Sequence, residues 1–230
     1  MKLVVGSGRL ASMVLALLKE KKETYLYGRN EQTVGTLLQT FPDVQMGEKT
    51  SFSKIKHVFL CLPKTGYEQF LNESADFFPN DVTIYHMATA VTESDVQKWC
   101  HGKRVVPLKL AGHAAVVRNQ LKGLFVIPPH YQEELLTISK WFPSMEIVIA
   151  SEDEVLLANQ LGTEEAIRMI ILLNKRMRKH NLPESIIKQT FNQTVHGVID
   201  AYQRNDLGGF AKKIADHLQQ EGEINSNENG

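Results

Sequence analysis

Cysteine is nearly missing from this chain, with 2 in 230 residues, Cys61 and Cys100. They fall at the ends of a predicted strand and a predicted helix, with no Cys-x-x-Cys spacing and no histidine cluster nearby. That argues against a disulfide framework or a structural zinc site, and Cys61 reads as a small core residue. Net charge is missing too: 26 basic against 26 acidic residues give a formal charge of 0. No overall field draws such a chain to nucleic acid or to a membrane surface, so neither is expected as a partner. No apolar run approaches the length of a membrane span. The first residues enter a strand directly, with no leader pattern, and a cytoplasmic protein is expected.

What is present is the material of an ordinary globular core, 43% hydrophobic and 23% charged residues. At this length it forms one large domain or two small ones. The chain is organised around its first dozen residues. Lys2 to Val5 is a short apolar strand, and Leu10, Met13, Val14 and Leu17 have the spacing of a helix with an inward stripe. Between them lies Gly6-x-Gly8-x-x-Ala11, the dinucleotide-binding fingerprint in its strand-turn-helix context. Gly6 permits the tight turn, Gly8 lets a pyrophosphate approach the backbone, and Ala11 lets helix and strand pack closely. Ser7, Arg9 and Leu10 complete the loop, where free N–H groups and the helix dipole favour an anion. A glycine turn that merely closes a βα unit would share the pattern.

Strand and helix then alternate to about residue 150, the mark of a doubly wound α/β parallel sheet. The second strand, Thr24 to Tyr27, lacks a following carboxylate and stops at Gly28-Arg29-Asn30. A guanidinium suits a 2′-phosphate where an acid would suit a ribose hydroxyl, so Arg29 and Asn30 point to NADP(H) over NAD(H). A solvated surface arginine is the other reading. A helix over about 31–40 and an uncertain segment lead to the apolar run Ile55 to Leu62. Leu62, Pro63 and Lys64 then form a loop at the sheet edge beside the cofactor. Asp81 to His86 is a strand leading to the small residues Ala88 and Ala90, with room for a nicotinamide at Ala88. Thr92 caps a helix that runs to about Cys100. Further strands are expected over Lys103 to Leu110, Gly123 to Ile127 and Glu146 to Ala150, with a helix over Tyr131 to Trp141.

From Ser151 the pattern is helical only, so a domain boundary is placed near 150. Ser151-Glu-Asp-Glu154 is a capping box, and Lys175 to Lys179 is basic, which defines a helix of about 28 residues. Its middle, Ala166 to Leu173, is apolar on nearly every side. Two more helices, about Glu184 to Tyr202 and Leu207 to Gln219, are too few to cover it, and a homodimer built on residues 151–220 is inferred. The polar tail 221–230 is expected to be disordered.

These residues together resemble the pyrroline-5-carboxylate reductase family within the wider 6-phosphogluconate dehydrogenase-like group. Gly6-Ser-Gly-Arg-Leu-Ala11 is similar to its glycine loop, and Gly28-Arg29-Asn30 falls where relatives carry Asn-Arg-Ser. Met87 to Trp99 resembles its segment of small residues followed by a helix. Arg104-Val-Val-Pro107 is similar to its Arg-Val-Met-Pro. Leu161 to Ile167 occupies the place of Ser-Gly-Ser-Gly-Pro-Ala-Tyr, and Gln193-Thr-Val-His-Gly197 echoes a Gln-Thr-x-x-Gly stretch. The resemblance implies a Rossmann domain followed by an all-α domain that interlocks two subunits, with a small-molecule substrate between them.

The departures fall where the chemistry belongs. The family's Met-Pro-Asn-Thr-Pro continues here as Val106-Pro107-Leu108-Lys109-Leu110, and its Gly-Ser-Gly-Pro becomes Gly162-Thr163-Glu164-Glu165. Two carboxylates there would repel an anionic amino acid, which argues against proline synthesis. The polar candidates for substrate chemistry are Lys109, as acid or electrostatic stabiliser, His113, as a proton donor in a loop, and Thr163, with Asn159 and Glu164. A surface lysine, a solvated histidine and a threonine bonded within its own helix are the alternatives. His196 reads as packing. The sequence thus supports an NADP(H)-dependent oxidoreductase acting on a small imine or carbonyl compound. A dimeric, non-catalytic NADP(H)-binding homologue, of the kind the resemblance places in bacterial competence loci, is the alternative. No metal site and no distinct flavin motif is found.

Overall fold

A computed structural model describes residues 1–227, with side chains through Gln220. Nine strands are present among them: β1 (Lys2–Val5), β2 (Thr24–Tyr27), β3 (Gln45–Met46), β4 (His57–Leu60), β5 (Thr83–His86), β6 (Arg104–Pro107), β7 (Lys109–Ala111), β8 (Gly123–Ile127) and β9 (Met145–Ile149). The α-helices are α1 (Arg9–Leu17), α2 (Glu31–Thr40), α3 (Lys64–Ser74), α4 (Glu93–Trp99), α5 (Ala114–Gln120), α6 (Leu135–Trp141), α7 (Glu152–Lys179), α8 (Glu184–Gln189), α9 (His196–Gln203) and α10 (Gly209–Asn227). The chain divides into two compact units, Met1–Gly162 and Thr163–Gly230. That division lies inside α7.

In the first unit six strands form a sheet in the order β3-β2-β1-β4-β5-β6, with every neighbouring pair parallel. This is the doubly wound Rossmann order. Successive side chains alternate across it. Val4, Phe59, Tyr85 and Val106 pack on one face with α1 residues such as Met13 and Val14, while Leu3, Val58, Leu60, Ile84 and Val105 pack on the other with Tyr67 and Leu71 of α3. Burial on both faces explains why these strands read as continuous apolar runs.

The segment expected to be one strand over Lys103 to Leu110 is two. Pro107 ends β6; Leu108 N–H donates to the His86 carbonyl, and Lys109 then pairs with Val126 in a second sheet ordered β7-β8-β9. In that sheet β7 is antiparallel to β8 and β8 parallel to β9, so the parallel sheet stops at residue 107. Proline has no N–H for a ladder and fixes its own φ, which suits it to this crossing. Three further features differ from expectation. The uncertain segment contains the short strand β3, residues 114–120 form α5, and Pro63-Lys64-Thr65-Gly66 opens helix α3 and is not a free loop.

The second unit is helical. A π-helical segment, Thr190–Val195, joins α8 to α9, so the expected helix over Glu184 to Tyr202 is continuous but wound more widely at its centre. Helix α10 continues to Asn227, past the point where the disordered tail was expected to begin; residues 228–230 lie outside the described residues. Met177 and Ile187 are buried, whereas Ile167, Ile171, Tyr202 and Phe210 are exposed, Phe210 to 82%. Among the described residues no helix is long and apolar enough to cross a membrane.

Candidate nucleotide cleft

The C-terminal ends of β1, β2 and β4 open into a cleft of about 300 Å³, lined by Gly6, Ser7 and Gly8, by Tyr27, Gly28, Arg29 and Asn30, by Cys61, Leu62 and Pro63, and by Gly66, Gln69, Phe70 and Glu73 of α3. The two glycines of the turn are there for different reasons. Gly6 has φ +111°, and a Cβ on it would collide with the Cys61 carbonyl oxygen, so the fold itself demands glycine. Gly8 has an ordinary extended φ of −88°, and among the described residues no atom lies within 4 Å of the place a Cβ would take. Nothing internal requires glycine at position 8, and Gly8 is among the residues that line the cleft.

Helix α1 starts from Gly8 and α3 from Pro63, each without a side-chain cap among the described residues and without acid in the first turn. Their first N–H groups and positive dipole ends are therefore open to an anion. Helices α5 and α6 also begin without a side-chain cap among the described residues or an acid in the first turn, whereas α2, α4 and α7 are capped. Asn30 accepts from Thr33 N–H on α2, Thr92 caps α4, and Ser151 and Glu154 form a reciprocal capping box on α7.

Of the residues singled out in the sequence, Gly6, Ser7, Gly8, Arg29, Asn30, Leu62 and Pro63 come together in the cleft. Arg9 and Lys64 are exposed first residues of their helices, and Leu10 turns to the core instead. Ala88 is occupied internally: its N–H meets the Tyr67 hydroxyl at 3.1 Å, and its carbonyl accepts from Lys109 Nζ at 2.6 Å. Tyr67 also donates to the Leu60 carbonyl and accepts from Met87 N–H, tying the ends of β4 and β5 together. Burial pushes its hydroxyl pKa up, so it stays protonated.

The candidates for substrate chemistry have different surroundings. Lys109 is 1% exposed and is held from several sides, by the carbonyls of Ala88 and Val91 at 2.6 and 2.8 Å, His86 Nδ1 at 3.1 Å and the Glu152 carboxylate at 3.0 Å. Burial lowers its pKa, opposed by Glu152. Glu152 is itself held down to about 2; burial acts to raise it, but His86 and the Lys109 ammonium outweigh that. Burial likewise lowers the pKa of His86, which therefore sits neutral between the two. The expected surface or catalytic lysine is thus a buried post of a Lys109–His86–Glu152 cluster, since Leu108 and Leu110 carry it into a strand interior. His113 is exposed at the start of α5, and Thr163 is exposed on α7. Asn159 holds the end of β7, donating to the Leu110 carbonyl and accepting from Gly112 N–H, both at 2.9 Å. The Glu164 and Glu165 carboxylates pair with Arg168 at 2.8 and 3.3 Å, which offsets the repulsion expected of them. Sequence reasoning missed Tyr67, His86, Gln69 and Glu73; the last two share the helical spacing of Gly66 and Phe70, which the loop assignment hid. Among the described residues no group of three or more His, Cys, Asp or Glu side chains could hold a metal ion.

Compared by sequence, the chain matches no protein-family model and no curated protein. Compared by structure, it is similar over 99% of its length to 90% of a pyrroline-5-carboxylate reductase from Coxiella burnetii, at TM-score 0.70 and 13% identity. The chain has the fold of the pyrroline-5-carboxylate reductases. The same fold likeness extends to the Plasmodium falciparum pyrroline carboxylate reductase solved with NADP bound, at TM-score 0.63 and 12% identity over 94% of this chain and 83% of that one. It also extends to an imine reductase from Myxococcus stipitatus in complex with NADP+, at TM-score 0.59 and 14% identity over 89% and 78%. In this reductase fold, the cleft at Gly6 to Gly8 lies at the first βα turn of the sheet.

Proposed function

We propose that the protein is an NADP(H)-dependent oxidoreductase that delivers hydride to a small imine or carbonyl compound. The observation that carries this is the contrast between Gly6, which the fold requires, and Gly8, whose side-chain space is empty and which lines the cleft at an uncapped helix start. A pyrophosphate there would meet the backbone of Gly6, Ser7 and Gly8, with Arg9 and Lys64 adding positive charge at the first turns of α1 and α3. Arg29 stands where a 2′-phosphate would be received, Asn30 shapes the turn beneath it, and Leu62 and Pro63 form the opposite wall. Once bound, the nucleotide supplies the hydride; the chain orients it. The NADP recorded with the Plasmodium and Myxococcus reductases supports this assignment.

Residues 1–150 are assigned to the nucleotide and 151–220 to dimerisation, in a cytoplasmic homodimer. Exposed Ile167, Ile171, Ile199, Tyr202, Phe210 and Leu218 support the dimer, as apolar surface that a second copy would cover. Light scattering should give twice the chain mass, and Ile171→Glu should shift it toward one.

One observation favours a second reading, a non-catalytic NADP(H)-binding homologue: Lys109 is fully engaged by structural partners. Calorimetric titration with NADPH and NADH, wild type beside Arg29→Ala, tests both readings. A preference for NADPH that collapses in the variant supports the cleft assignment. NADPH oxidation by a panel of imines and carbonyls then supports the enzyme, and tight binding without turnover the homologue. Binding of neither nucleotide would overturn both.

A further inference from the structure

The cleft carries a relay that phosphate binding alone does not require. Arg29 Nη1 donates to Gln69 Oε1 at 2.7 Å, and Gln69 Nε2 donates to Glu73 Oε1 at 2.9 Å. Glu73 lies 3.7 Å from Lys49 Nζ. Gln69 and Glu73, one turn apart on α3, both line the cleft with Arg29. The order is guanidinium, neutral amide, carboxylate, ammonium, and the position of the amide matters. A carboxylate touching Arg29 would form a charge-assisted pair, neutralise it and occupy the donors that a phosphate needs. An amide oxygen takes only one of about five guanidinium N–H donors, fixing the plane of the group while leaving its charge uncompensated. Glu73, one hydrogen bond further back, orients the amide and is balanced by Lys49.

We propose that Gln69 is a positioning residue for nucleotide selection: it holds the Arg29 guanidinium toward the cleft without neutralising it, and so sets the preference for a 2′-phosphorylated dinucleotide over its 2′-hydroxyl counterpart. This rests on the assignment of the cleft to the nucleotide.

The test is titration of the full chain with NADPH and NADH, for wild type, Gln69→Glu, Gln69→Leu, Arg29→Ala and the Arg29→Ala/Gln69→Glu double variant. Gln69→Glu should weaken NADPH about tenfold, as expected for loss of a charge-assisted contact, and leave NADH within about twofold. Gln69→Leu should weaken NADPH about threefold, through loss of orientation alone. The Gln69→Glu effect should shrink at high salt and vanish in the Arg29→Ala background, where there is no guanidinium left to position. Gln69 is exposed, and an unchanged thermal midpoint identifies folded variants; equal weakening of NADH and NADPH also overturns the proposal. An unchanged NADPH-to-NADH ratio in folded Gln69→Glu, or tighter NADPH binding in Gln69→Leu, overturns the proposal while leaving the cleft assignment standing. A wild type that binds neither nucleotide overturns the assignment and this proposal with it.

Discussion

Two places in the first unit finish their polar groups in opposite ways. Around β5, β7 and the starts of α4 and α7, the helix starts and Lys109 find partners within the chain. Among the described residues, His86 Nε2 and Glu152 Oε1 are nonetheless buried without a hydrogen bond, and a cavity of about 730 Å³ lies beside Glu152, lined also by Thr92, Glu93 and Ser151 among others. Thr92 and Ser151 cap the helices, the Glu152 carboxylate accepts from Glu93 N–H, and Lys109 is surrounded by acceptors. Around β1, β2 and β4, helices α1 and α3 begin with neither cap nor acid, and the space beside Gly8 stays open. A capped helix start has its first N–H groups partly filled, whereas open N–H groups at a positive helix end suit an anion. The difference lies in the helix starts, and those beside the glycine turn are the ones left open to an anion.

Gly6→Ala should break the open region outright. Its Cβ would run into the Cys61 carbonyl from a left-handed backbone conformation, so a loss of at least about 3 kcal/mol is expected in denaturant unfolding. Lys109→Met should do nearly as much to the closed region, about 2–4 kcal/mol, because Glu152 would keep its charge without its cation. Unfolding curves measure that loss. If the variant instead kept full stability while NADPH oxidation disappeared, Lys109 would have to be reassigned to the chemistry.

The closed region should also set part of the acid limit. Glu152 has its folded pKa depressed from 4.5 to about 2, so its contribution is fully present above pH 4.5 and is lost as pH falls toward 2. Glu152→Gln, less stable near neutrality, should therefore lose stability more gradually than wild type across that window. Gly8→Ala sharpens the comparison with the smallest structural effect. Stability should move by no more than about 0.5 kcal/mol, while NADPH affinity falls at least about tenfold by calorimetry if the proposed pyrophosphate rests against the Gly8 backbone.

The glycine turn, the strand-helix alternation and the capping boxes were legible because each depends on neighbours within a few residues. Strand β1 needed no polar-apolar alternation to be found, because Leu3, Val4 and Val5 in a row already mark a strand buried on both faces. The division of 103–110 into two strands was not legible, since Val105, Val106, Leu108 and Leu110 read as one strand around Pro107 and only pairing with Val126 separates β7 from β6. Nor was the role of Lys109. Its partners His86 and Glu152 stand at the end of β5 and the start of α7, in opposite directions along the chain, and no local signal links them.

By itself, the sequence determined the Rossmann half, its glycine turn, Arg29 after β2 and the long α7, because turns, caps and periodicity are local properties of the backbone. Only the tertiary structure decided which of the candidate polar residues are spent on one another and which face open space. That depends on burial and on contacts between distant segments: the same lysine or glutamine is free or engaged according to what the fold brings against it.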